Sequence, residues 1–157
     1  MTKQLTEPPE STDALPSPMP LMDLSTGFWA SKTLAAAHEM DLFSTLARTG
    51  GTTAAELAAR EGIELRPAEM LLTGCAALGL LEGTRGRYSN SRMAEEYLVR
   101  GKPYYFGGFV QMLDQRLYAG WGRLSEAIRT NAPTTWDPRR QGSLFDGEDP
   151  QLLAVFW

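Results

Sequence analysis

This sequence predicts a mostly α-helical fold: a winged-helix-like domain with long flanking helices and a small β-hairpin wing. Three observations predict it. Residues 21–49 and 104–129 carry apolar side chains at helical spacing, which gives the flanks. Two shorter helical patterns, residues 52–63 and 66–81, are separated by a turn at Gly62. Two glycines and an alternating stretch follow in EGTRGRYSNS, as in a hairpin.

Residues 1–20 hold five prolines among Ser, Thr and acidic residues, so they are expected to form a disordered arm up to about Met19. From Leu21 the character changes. One long helix is expected, with Trp29, Ala36, Met40 and Phe43 on one face and Leu24, Phe28, Ala35, Leu42 and Leu46 on another. Two apolar faces need two partners. One is the core of the chain, and the other is most simply a second subunit, because a large exposed apolar patch marks an interface. Leu24, Phe28, Trp29 and Met40 are therefore the candidates for a homodimer contact, and the long helices are expected to serve dimerisation. His38, the only histidine, lies on this helix near Lys32 and Glu39, and is expected at a surface or half-buried position. The sequence shows no orienting partner that would make it a general base.

Residues 52–63 form a short amphipathic helix opening on Thr52 or Thr53, with Glu56 placed to complete a capping box from Thr53. The next helix begins at Arg66-Pro67, proline being acceptable in a first turn. It stands where a winged-helix protein would read DNA, yet Arg66 is its one cation. Met70, Leu71, Leu72, Cys75, Ala76, Ala77 and Leu78 cover nearly its whole circumference, which predicts burial on most sides. A duplex-reading helix needs cations for phosphates and polar groups for base edges. The only nearby basic cluster is Arg85, Arg87 and Arg92, on the wing and just after it.

Residues 104–129 repeat Val110, Leu113, Leu117, Trp121, Leu124 and Ile128 at helical spacing. Gly107, Gly108, Gly120 and Gly122 interrupt this pattern beside Phe109 and Trp121. Such glycines suit close packing, a kink, or a shallow place for a flat ligand. Gln111 and Gln115 share a more polar strip with Tyr118. Asp149-Pro150 reads as an N-cap and first turn, and QLLAVFW as a helix that stops after about two turns, short of the roughly 12 to 15 residues of a marginal isolated helix. A fragment of a longer polypeptide is expected from this.

At 157 residues and net charge −4 the chain can bury a core, and nothing points globally to a nucleic-acid partner. A single cysteine, Cys75, excludes an internal disulfide and fits a reducing compartment. No stretch reads as a signal peptide or membrane span, so a cytoplasmic location and no membrane partner are expected. Zinc patterns, nucleophile elbows and Walker loops are absent from the sequence.

The ordered set of a long N-terminal helix, TAAELAAREGI, RPAEMLLTGCAALGLLEGTRGRYSNS, WGRLSEAIRTNAPT and GSLFDGEDPQLLAVFW resembles the N-terminal dimerisation domain of class I S-adenosylmethionine-dependent O-methyltransferases. The likeness is greatest to the bacterial natural-product group and extends to plant phenolic enzymes. It runs from about Leu21 to the end. Beyond the arm expected in 1–20, the resemblance implies a winged-helix-like dimerisation domain in 21–100 and a helical extension in 101–157 leading to a Rossmann-like catalytic domain absent from this chain. It implies a homodimer whose N-terminal regions help close a pocket for a phenolic or aromatic polyketide-type substrate. Phe28 and Trp29 would reach across from the partner, and Gln111 and Met112 would face the substrate. S-adenosylmethionine belongs to the parent protein. No catalytic, cofactor-binding or metal-binding residue is expected in this chain, which is expected to be inactive alone. No D-x-G-x-G-x-G motif is present, and Asp146-Gly147 reads as a loop turn. Asn131 stands where many relatives have glycine, and asparagine tolerates the left-handed conformation such a turn needs. Two alternatives fit the same layout: a winged-helix transcription regulator that binds DNA, and a free-standing dimerisation adaptor for a separate catalytic chain.

Overall fold

The computed structural model describes residues 15–140 and residue 142. The expected turn at Asp146-Gly147 and the helix from Asp149, like most of the N-terminal arm, lie outside the described residues. The first helix, α1, spans Met19–Glu39, with Pro20 in its opening turn. Residues 19 and 20 therefore belong to the helix and not to the arm.

The single long helix expected over residues 21–49 is two. After α1 the chain turns through Asp41, whose φ of 49° is left-handed, and α2 runs Leu42–Thr49. Arg100 Nε donates to Asp41 Oδ1 at 3.1 Å and Arg48 to Oδ2 at 3.5 Å, which holds the turn to the rest of the chain. Burial alone would raise the Asp41 pKa, but hydrogen bonds from Ser44 and Arg100 outweigh it and hold the carboxyl below its ordinary range. The break re-aims every side chain after it. Leu42, Phe43 and Leu46, assigned above to opposite faces of one cylinder, share a single core.

Beyond α2 the chain forms β1 (Thr52–Thr53), α3 (Ala54–Glu61), α4 (Leu65–Ala77), β2 (Leu81–Thr84), β3 (Arg87–Asn90) and α5 (Arg92–Tyr97). The capping box forms as expected: Thr53 Oγ1 accepts from the Glu56 amide while Glu56 accepts from the Thr53 amide. Gly62 closes α3 with φ 65°. The hairpin turns on Arg85-Gly86, both at positive φ, which is the geometry a two-residue connection between twisted strands requires. Its β3 strand lies between β2 and β1 in a three-stranded antiparallel sheet. The β1 pairing is invisible in the sequence because two threonines are too short to show alternation. Gly51 just before it is obligatory, since a Cβ there would stand 2.7 Å from the Tyr88 carbonyl oxygen.

Helix α4 corrects a second expectation. Only its Ala68, Leu72 and Cys75 face is buried, whereas Leu65, Met70 and Leu78 are exposed, so the apolar circumference is covered on one side alone. Burial pushes the Cys75 thiol up to about 11, which makes it an inert core group.

The third long helix is also interrupted. It begins at α6 (Gly107–Met112), passes through a π-helical turn (Leu113–Leu117) into α7 (Tyr118–Trp121), breaks at Gly122-Arg123, and resumes as α8 (Leu124–Thr130). Asn131 ends α8 at φ 49°, filling the left-handed position without glycine. Helix α6 packs on α1, and α1 packs on α4 and α2. Among the described residues no helix is long and apolar enough to cross a membrane.

Candidate aromatic-binding groove

The seam between α1 and the α6–α7 segment does not close. It leaves a groove of about 270 Å³, lined by Ser31, Leu34 and Ala35 of α1 and by Phe106, Phe109, Val110, Leu113, Asp114, Leu117, Tyr118 and Trp121 opposite. Phe106 and Phe109 stand with ring centroids 4.9 Å apart at its wall. Trp121 is 61% exposed, and Tyr118 and Leu113 are exposed as well. Phe109, Leu113 and Leu117 recur at four-residue steps, and the π turn between them offsets the wall from an ideal α-helix. An apolar cleft with few polar groups is what a flat aromatic molecule requires.

A smaller polar hollow adjoins the groove and shares Ala35, Val110 and Asp114 with it; His38, Glu39, Arg100, Gln111 and Gln115 complete its lining. Here the sequence reading of His38 is corrected. It is buried, and its Nε2 shares a 2.7 Å hydrogen bond with the Tyr105 hydroxyl. Gly107 makes this possible, because a Cβ there would lie 2.3 Å from His38 Nε2. Burial, and then the Arg100 guanidinium, lowers the His38 pKa, against an opposing pull from Asp41. Burial likewise raises the Tyr105 pKa, so both rings are neutral at neutral pH. Lys32 forms an ion pair with Asp114 and stands 4.7 Å from the Tyr118 ring centroid.

The four substrate-facing candidates fall in different places. Gln111 borders the polar hollow and is exposed. Met112, one residue on, is 6% exposed and lines neither cavity. Phe28 and Trp29 form an edge-on pair, centroids 6.0 Å apart, on the outer surface of α1 and outside the groove lining. Of the interface candidates, Leu24 is 80% and Trp29 62% exposed and Phe28 is exposed too, whereas Met40 is half-buried at the end of α1. The sequence marks Phe109 and Trp121 beside their glycines, and Leu113 and Leu117 only as members of a repeat at helical spacing. The groove's aromatic density over residues 104–121 was the available signal.

Among the described residues no group of three or more His, Cys, Asp or Glu side chains could hold a metal. The one glycine pair at a helix start, Gly107-Gly108, spends its first member on the contact with His38 and Tyr105.

Residues 22–100 match the O-methyltransferase dimerisation domain. The chain is 50% identical to 3-hydroxy-5-methyl-1-naphthoate 3-O-methyltransferase of Streptomyces sahachiroi over 89% of its own length and 40% of that protein's. Among solved structures it resembles an O-methyltransferase family protein from Burkholderia thailandensis, with TM-score 0.73 and 30% identity over 91% of this chain and 41% of that one. It also resembles human N-acetylserotonin methyltransferase in complex with S-adenosylmethionine, with TM-score 0.68 and 30% identity over 76% of this chain and 36% of that one. The chain thus spans about 40% of the length of the relatives it matches. With the dimerisation-domain match extending over α1 to α5 and the likeness to solved structures continuing beyond it, the chain belongs to the O-methyltransferase dimerisation domain family.

Proposed function

We propose that this chain supplies the dimer contact and one wall of the substrate pocket of an S-adenosylmethionine-dependent O-methyltransferase acting on a phenolic or aromatic polyketide-type compound. The observation that carries this reading is the open groove between α1 and residues 106–121, four of whose lining side chains are aromatic. Beside it the first half of α1 leaves Leu21, Met22, Leu24, Phe28 and Trp29 uncovered, and a second copy of the chain is the occupant we assign to that face. Met40 is half covered already and contributes less. Gln111 serves the rim of the pocket, while Met112 supports it from beneath. The relatives' methyl-transfer chemistry is assigned to the share of their length that this chain does not cover, so no catalytic step is drawn through the residues described.

The order helix, turn, helix, hairpin is read as a winged helix used for packing. The uncovered side of α4 carries Leu65 and Met70 with Glu69, and Arg66 is its one cation, a surface poorly suited to phosphates. Arg87 on the wing is committed to Glu56 and to the Gly51 carbonyl. No nucleic-acid partner is assigned.

Titrating the chain with 2-methylnaphthalene, a flat hydrocarbon without polar groups, while following the amide resonances of residues 106–121 tests the wall. Saturable shifts confined to that segment and to residues 31–35 are expected. Their absence would remove the groove from the substrate pocket.

A further inference from the structure

One carboxylate interrupts the apolar wall. Asp114 lies in the π-helical turn and lines both the groove and the polar hollow. Lys32 takes its Oδ1, and Oδ2 has no hydrogen-bond partner among the described residues. Lys32 also stands over the Tyr118 ring, a second groove residue, which holds the pair against the groove wall.

Most other polar groups at this junction are engaged. Ser31 Oγ donates to the Phe28 carbonyl at 3.0 Å, His38 pairs with Tyr105, and Gln111 donates to Gln115 at 3.3 Å. The two cations, Lys32 and Arg100, are each paired with a carboxylate already. Glu39 adds a second acidic group to the lining of the hollow. The junction therefore offers an open acceptor to a ligand, and no unpaired cation among the described residues.

We propose that Asp114 is the polar anchor of the groove, accepting a hydrogen bond from a hydroxyl on a planar aromatic ligand and disfavouring ligands that carry a carboxylate. This rests on the groove being a ligand wall, as proposed above. A hydrogen bond to an ionised acceptor is of the strong kind, and a ligand carboxylate would meet the like charges of Asp114 and Glu39. The expected preference for the hydroxylated ligand is roughly ten-fold or more.

The test compares 2-naphthol, 2-naphthoate and 2-methylnaphthalene at neutral pH, each titrated against the chain and against Asp114→Ala. The expected result is that 2-naphthol binds about ten-fold tighter than the other two, and that Asp114→Ala brings the ratio of 2-naphthol to 2-methylnaphthalene affinity close to one. A naphthol advantage that survives in Asp114→Ala, or naphthoate binding as tightly as naphthol, overturns the anchor and leaves the wall standing. No binding of 2-methylnaphthalene to the unaltered chain overturns the wall, and the anchor with it. Should Asp114→Ala lose the hydrocarbon as well, Asp114→Leu, which keeps roughly the size of the side chain without an acceptor, decides by the same ratio.

Discussion

Residues 42–99 and the segments flanking them use the same kinds of apolar residue in opposite ways. In the central body Leu42, Phe43, Leu46, Leu57 and Leu72 are withdrawn from solvent, and local devices hold α3, α5 and the hairpin. The capping box starts α3, Gly62 ends it, Ser91 caps α5 through the Ala94 amide, and the Arg85-Gly86 turn closes the hairpin. In the flanks Leu24, Phe28, Trp29, Tyr118 and Trp121 remain uncovered, and α1 and α6, like α2 and α4 of the body, have no side-chain cap at the N-terminus. The difference teaches that the centre of the body is satisfied by its own chain, with Leu65 and Met70 of α4 left at its surface, whereas the flanks gather their exposed aromatics on α1 and beside the groove and present them to something else.

The sharpest way to break this contrast is to truncate a leucine on one side and an aromatic on the other. Leu72→Ala opens a cavity in the body and is expected to cost about 2–5 kcal/mol in urea unfolding. Trp121→Ala, at the open groove, is expected to change stability by about 0.5 kcal/mol or less. Equal losses would mean that the groove is core. Next in size, Thr53→Ala removes the cap of α3 and is expected to cost about 1 kcal/mol, measured the same way.

The smallest effect concerns the junction between body and flank, where His38 is held neutral. Its folded-state pKa lies below its ordinary value of 6.5, so the unfolded chain takes up the proton more readily than the folded one. The stability tied to neutral His38 is therefore complete above about pH 6.5 and is lost as pH falls below that toward the depressed folded value. The melting temperature is expected to decline over that window, and His38→Gln should flatten the decline. His38 is the only histidine in the sequence, so no other imidazole can supply it.

The body was the legible part of the sequence because its signals are local. Thr53 with Glu56, the turn at Gly62 and the glycines near Arg85 each act over three or four residues, and each formed as read. The flanks were harder because what shapes them is distant in sequence. The break at Asp41 is held by Arg100, and the burial of His38 depends on Tyr105 and on the missing side chain of Gly107. The π turn leaves no mark on apolar periodicity, so Leu113 and Leu117 read only as a helical repeat, and nothing in the sequence shows that they border open space. Asn131 went the other way: its tolerance of the left-handed region is a property of one residue, and the turn kept it.

The central claim is that the uncovered first half of α1 is a contact with a second copy of the chain. Sedimentation equilibrium at micromolar concentration tests it most directly, on the unaltered chain and on Trp29→Asp, which would bury a charge in that contact. The account expects a dimer that Trp29→Asp converts to a monomer with an unchanged far-ultraviolet spectrum. A stable monomer from the unaltered chain, or a dimer indifferent to the charge, would contradict it.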